Sequence, residues 1–516
     1  MSLRANTFTH RASAALMVEH VSGFGLRLLL LVIALVGVPW MVSLAHLPGL
    51  AAYAVPAAAA LILAVAYTWF PAEGLFAFAL YVAFYDSIAL HLGPRIRQVD
   101  ELGLLVLFPL ALMRVWREWR SWVWWPRDAA LGGVVGIGLV SSLIAGVPIG
   151  TWAPALALLL KPMGFLYIVT WTPFRVSQIR SMLVIGVGIG VTVSLLGFVE
   201  LISPVAFQHF FGLNEYLRFR NESAVVKSLF VHPGLFGFFT AFFALWAYAY
   251  YLTTRHWRWL VAALILSVGP FLSARRRAIL AMGAGLLTAF GEQFRILRDK
   301  VVLLRTWVPV ALGAGVLVVF FMPGLFGLYE MTVNRYVDSS WPSPVAGSNT
   351  RAAQAHIAED TQARVALYVG SVEIARDYFP LGGGLGRYGT WMSRVNYSPL
   401  YREYGLSHVR GLRPRASAAA TDTFWPAVLG ELGVAGLLAY ITFLGALGVL
   451  LWREAKRSDG PVMRIIRLAA GMVLVQAIAE SFASPMFNSP PRVYLTFLAV
   501  GIVVSIAWRR RAVERE

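Results

Sequence analysis

The chain has 516 residues, of which 58% are hydrophobic and only 14% charged; its formal net charge is +18 and it has no cysteine. Soluble domains carry nearer a quarter charged residues, so an ordinary soluble fold is excluded, as are disulfides, thiolate metal sites and cysteine nucleophiles. The basic balance would suit a nucleic-acid binder, but the cations sit in short loops between apolar stretches with no recognition motif, so no nucleic acid is expected as a partner.

In chain order, a basic N-terminal stretch to His20 runs into a first apolar span too long for a cleavable signal peptide. Spans are expected near 25–46, 48–70, 73–92, 100–114, 129–148, 153–173, 181–201, 232–253, 257–272, 277–293, 303–323, 423–452, 464–486 and 490–508. The expected fold is all-α: a polytopic helical membrane protein of 12–14 transmembrane helices with one large, partly helical outer loop. Its divisions are an N-terminal bundle (1–202), a smaller outer loop (203–231), central spans (232–323), the large outer loop (324–421) and C-terminal spans (422–516). Arg114, Arg117, Arg120, Arg127, Arg453, Lys456, Arg457 and Arg509 to Arg511 crowd the loops of one face, which places both termini in the cytoplasm. Trp116, Trp119, Trp122, Trp124 and Trp125 fit an interfacial belt on that side.

Within the large loop, 360–378 reads as an amphipathic helix with Val365, Tyr368, Val369, Val372 and Phe379 close to one face. Pro380 and the run Gly382 to Gly386 end it. That glycine run follows a helix rather than a strand, so it is no dinucleotide fingerprint. Gly384 and Gly386 read instead as a tight turn that admits close backbone approach.

Several residues are candidates for chemistry. Arg275, Arg276 and Arg277 lie between two spans at their outer end, against the local charge rule. Phosphate would compensate them, because guanidinium grips it bidentately and never loses its charge; snorkelling to lipid headgroups is the bland alternative. Arg218 and Arg220 precede His232-Pro233-Gly234 at the outer mouth of a span. His232 is either a proton shuttle or a helix cap. The large loop holds ten Arg and no Lys, among them Arg364, Arg387 and Arg394, a positive field for an anionic substrate. Asp422, beside Thr423, is either a base or the N-cap of the helix it precedes. Glu431 lies inside that helix, where a carboxylate is costly and either functional or hydrogen-bonded to a neighbour; Glu480 and Glu200 pose the same question. No His-x-x-x-His or Asp-x-Asp pattern occurs, so no metal site is expected.

Three blocks together resemble the O-antigen polymerase and O-antigen ligase superfamily of bacterial inner-membrane proteins. Phe230 to Gly237 is similar to that family's F-x-N/H-P-N-x-x-G entry to a span. Ser273 to Ala278 is similar to its Ser-Arg-x-Ala motif, with Arg276 at the motif arginine. Arg364, Pro380 to Gly386 and Glu431-Leu432-Gly433 resemble its large loop and following helix. Where ligases carry His-Asn, this chain has Asp422-Thr423, which favours the polymerase and leaves His408 or His232 as alternative bases.

The resemblance implies metal-independent and cofactor-free glycosyl transfer at the periplasmic face of the inner membrane. The substrates would be undecaprenyl diphosphate-linked oligosaccharides, donor and acceptor, joined into an O-antigen or exopolysaccharide. Arg276 and Arg220, with Arg275, Arg277 and Arg364, would hold the leaving diphosphate. Asp422 would handle the acceptor hydroxyl, and the Arg394 and Arg387 loop would cover it. A flippase and a chain-length regulator are the partners such proteins work beside. The alternatives are an O-antigen ligase or protein O-oligosaccharyltransferase and, in another class, a polysaccharide or lipid transporter or flippase.

Overall fold

A computed structural model describes residues 23–37, 51–117, 125–213, 219–220, 223–296, 307–310, 312, 349–457 and 459–514. The protein is all-α and multi-pass. Its helices are α1 (Gly23–Gly37), α2 (Ala51–Trp69), α3 (Pro71–Leu92), α4 (Val99–Arg117), α5 (Pro126–Ile144), α6 (Ile149–Trp171), α7 (Val176–Ile202), α8 (Pro204–Phe210), α9 (Pro233–Thr254), α10 (Trp257–Leu272) and α11 (Arg276–Ile296). Beyond the large connection come α12 (Asn349–Asp377), α13 (Trp391–Val395), α14 (Leu400–Glu403), α15 (Trp425–Ala455), α16 (Pro461–Ser481) and α17 (Arg492–Val513). The described β structure is the pair of two-residue strands Phe219–Arg220 and Ser223–Ala224. Among the described residues, eight helices are long and apolar enough to cross a membrane: α3, α5, α6, α7, α9, α15, α16 and α17. Helices stand at every other expected span except 303–323, most of which lies outside the described residues.

Helix starts follow local chemistry. Pro71, Pro126, Pro233 and Pro461 occupy first helical turns, where the missing N–H is no loss. The centre of the bundle is α9, buried along its whole apolar length. Lipid gives apolar helices little reason to associate, so close packing has to hold them. Glycines on α7 supply it: a Cβ at Gly197 would stand 2.6 Å from Phe236 of α9.

The two ends of the bundle differ. Arg509 donates to the Trp171 carbonyl and Arg510 meets Asp459 on one end. On the other end Ser87 bonds the Leu229 carbonyl, Asn396 bonds Thr151, and Tyr368 bonds the Phe482 carbonyl. Both long connections therefore lie on the same face.

The large connection carries its own core, in which Leu367, Ile374, Tyr388, Leu400, Tyr401 and Leu412 are buried together. Here the amphipathic reading chose the wrong face of α12. The structure buries Ala363, Leu367, Gly370, Ser371 and Ile374, and leaves Val365, Val369, Val372 and Phe379 more than half exposed. Small residues win because they admit close approach: a Cβ at Gly370 would meet the Tyr388 hydroxyl at 2.8 Å.

Candidate active site

The glycine run shapes the site. Gly382, Gly384, Gly386 and Gly389 all have positive φ, open to glycine at no steric cost. The run lies against the first turns of α15: Gly383 N donates to the Gly430 carbonyl (2.8 Å) and Gly384 N to the Glu431 carbonyl (3.0 Å). The wedge breaks α15 at Gly433, where φ is 65° and Ala435 N donates across the break to the Pro380 carbonyl (3.1 Å). The Glu431 carboxylate closes the same join, accepting from Tyr388 N (2.9 Å) and the Thr390 hydroxyl (2.6 Å). Glu431 thus acts on the protein's own backbone. In the loop core, burial pushes the Tyr401 phenol up to about 12, so it stays neutral and accepts from Gly389 N (3.0 Å).

Above this join lies a cavity of about 410 Å³, a ligand-sized volume. Its walls are Tyr85 and Asp86 of α3, Ala155 and Leu159 of α6, His232 and Leu235 of α9, Arg277 of α11, Gly389 to Trp391, Thr421 to Phe424, the top of α15, and the linker residues Pro485, Asn488 to Pro490 and Arg492. Arg277 is placed by a sharp turn at Ala274 (φ 50°). Gly234 makes room for it, since a Cβ there would stand 2.9 Å from Arg277 Nη2. Arg277 Nη1 donates to the Ala483 carbonyl (2.6 Å) and its Nε lies 3.5 Å from Glu480. Arg492, 5% exposed, reaches the same carboxylate at 3.9 Å. Two guanidiniums therefore share one buried acid, and neither Nε has a hydrogen-bond partner among the described residues.

Asp422 does not cap α15, whose N-cap is Phe424. Its Oδ2 instead accepts from Arg364 Nη2 (3.0 Å), which ties α12 to the cavity rim. Thr423 also lines the cavity, with its hydroxyl buried and without a partner among the described residues. His232 is the N-cap of α9: its Nδ1 accepts from Gly234 N (3.0 Å). In the neutral ring Nε2 then carries the proton, which makes His232 a hydrogen-bond donor to the cavity rather than a base.

Other candidates fall elsewhere. Arg276, the motif arginine of the resemblance, and Arg275 lie outside the cavity lining, and Arg277 takes that place. His408 is exposed and away from the lining. Arg394 stacks on Trp391 (5.3 Å), and Arg387 donates to the Gly383 carbonyl (3.2 Å). Gly384 and Gly386 pack against α5 and α6. Arg220 is described in its strand backbone only, and Arg218 lies outside the described residues. Sequence reasoning missed Arg492, Asn488 and Asp86. Arg492 opens a span just as Arg276 does, and Asp86 is a carboxylate inside a mostly apolar helix; both signals were there to read.

Neither models of known families nor curated proteins match this chain. Its motif resemblance therefore rests on the residues quoted above.

Proposed function

We propose that the protein polymerises undecaprenyl diphosphate-linked oligosaccharides into an O-antigen or exopolysaccharide at the periplasmic face of the bacterial inner membrane, with both termini cytoplasmic. The observation that carries this reading is the pair Arg277 and Arg492, buried beside a cavity with one carboxylate between them. An unbalanced buried charge is expensive, so such a pair favours an anionic ligand. A diphosphate presents several acceptor oxygens and no donors, which matches guanidinium forks and the His232 Nε2–H.

The reaction follows from that placement. The acceptor hydroxyl oxygen attacks the anomeric carbon of the donor glycan. The bond from that carbon to the diphosphate oxygen breaks, and its electron pair leaves with the diphosphate. Arg277 and Arg492 stabilise the charge gathering there. The acceptor proton passes to Asp422, which Arg364 holds in place. Phe424, Val428 and Leu235 give the cavity an apolar flank suited to a prenyl chain.

The test compares lipid-linked and surface glycan from cells lacking this chain, complemented with wild type or Arg492→Ala. Single repeat units should accumulate in both the null and the variant. Long polymer stranded on the carrier would mean a ligase instead, and an unchanged glycan profile would sink the glycan reading.

A further inference from the structure

We infer that the cavity has a second, sugar-binding half, in which Asp86 holds the hydroxyls of the acceptor glycan. This rests on the reading above and adds a residue to it. Asp86 sits in the last two turns of α3, a mostly apolar helix in which a carboxylate is costly unless it has a task. Arg97 holds it from one side, with Nε 2.8 Å from Oδ1. Asp86 also lines the cavity.

The hydrogen-bonding sense of the walls decides what belongs there. Arg277, Arg492 and His232 Nε2 only donate, which suits phosphate. The Asp86 carboxylate only accepts, and Asn488 of the same cavity holds a buried Oδ1 with no partner among the described residues. Ionised phosphate has no proton to give them, and buried acceptors left unmet cost stability. Hydroxyls supply those protons. Trp391, half exposed at the cavity wall, adds an aromatic surface for the apolar side of a sugar ring. One ligand that satisfies both halves carries a diphosphate and a glycan.

The experiment measures binding to the purified full-length protein of two probes: undecaprenyl diphosphate without sugar, and the lipid-linked oligosaccharide extracted from cells lacking this chain. Wild type should bind the sugar-bearing lipid more tightly. Asp86→Asn, close to isosteric, should weaken that lipid about tenfold, the scale of one charged hydrogen bond, and leave the bare carrier unchanged. Asn488→Ala, in the linker between α16 and α17, should give a smaller loss of the same kind and serves if the Asp86 variant misfolds. Equal weakening of both probes would make Asp86 structural and overturn this assignment alone. Failure of wild type to bind the bare carrier would overturn the diphosphate reading and this assignment with it.

Discussion

The two ends of α16 and α17 carry arginine clusters built from the same residue types, and they differ in whether acids close them. Away from the cavity, Arg467 is 1% exposed and meets Asp459, while Glu454 lies 3.4 Å from it. Arg510 reaches Glu454 and Asp459 at 3.2 and 3.1 Å, and Arg457 reaches Glu454 at 3.4 Å. Arg467 and Arg510 each meet two acids there. At the other end Arg277 and Arg492 share Glu480 at 3.5 and 3.9 Å, with a cavity in front of them. Buried charge that meets two acids holds helices together. Buried charge that is half paired and faces open volume is suited to a ligand. Identity and burial of the arginine are alike in the two cases, so neither separates structure from function; the partner count does.

The sharpest way to break this comparison is to remove one arginine from each end. Arg467→Ala leaves the buried Glu454 and the partly exposed Asp459 under-paired and should cost about 3 kcal/mol, visible as a large fall in the unfolding temperature of the purified protein. Arg492→Ala should leave the unfolding temperature close to wild type and lower glycan transfer a hundredfold or more, the scale set by loss of one preorganised charge-stabilising group. If Arg492→Ala unfolds as readily as Arg467→Ala, the open cluster is structural and the distinction collapses.

A middle-sized effect is expected at Glu431, which resembles a site acid by position and a structural one by partners. Glu431→Gln keeps the shape, and one carbonyl can still meet Tyr388 N and Thr390 Oγ1, but its amide N–H₂ then faces the Gly386 and Arg387 backbone N–H donors. The loss should be about 1–3 kcal/mol, read as a lower unfolding temperature, with transfer per folded molecule nearly kept. A variant that folds as wild type and transfers nothing would move Glu431 into the chemistry.

What was legible in the sequence follows the range of the forces involved. Spans such as Pro233–Thr254 and Trp425–Ala455 stand where hydropathy put them, because burial in lipid is decided over about 20 consecutive residues. That Arg277 lies at the same end of the bundle as the large connection was equally plain, since span ends follow from the same hydropathy. Which of Arg275 to Arg277 enters the cavity was not: that depends on the turn at Ala274 and the space over Gly234, a contact between helices 40 residues apart in sequence. Glu431 was legible as a buried acid but not as a clamp, because its donors come from a loop some 40 residues upstream. On α12 periodicity revealed two unlike faces, and only the partner's shape, Tyr388 against Gly370, selects the one that packs.

The smallest effect sharpens the closed end. Asp459 is held below the usual carboxylate range, first by its hydrogen bond from Arg467 and then by the charges of Arg467, Arg510 and Arg457. Its folded pKa is depressed, so its contribution to stability is whole above the unfolded pKa, near 4, and is lost as pH falls through the folded value. Asp459 is partly exposed, which screens the interaction and keeps the effect modest. Unfolding temperature should therefore drop in wild type as pH falls below about 4, and Asp459→Asn should be less stable than wild type at neutral pH while losing less on acidification. Equal acid sensitivity in the two proteins would mean that Asp459 adds nothing to closing the cluster, leaving Glu454 as the single acid among three arginines. That end would then have fewer acids per arginine than the cavity end, and partner count would no longer separate a structural cluster from a binding one.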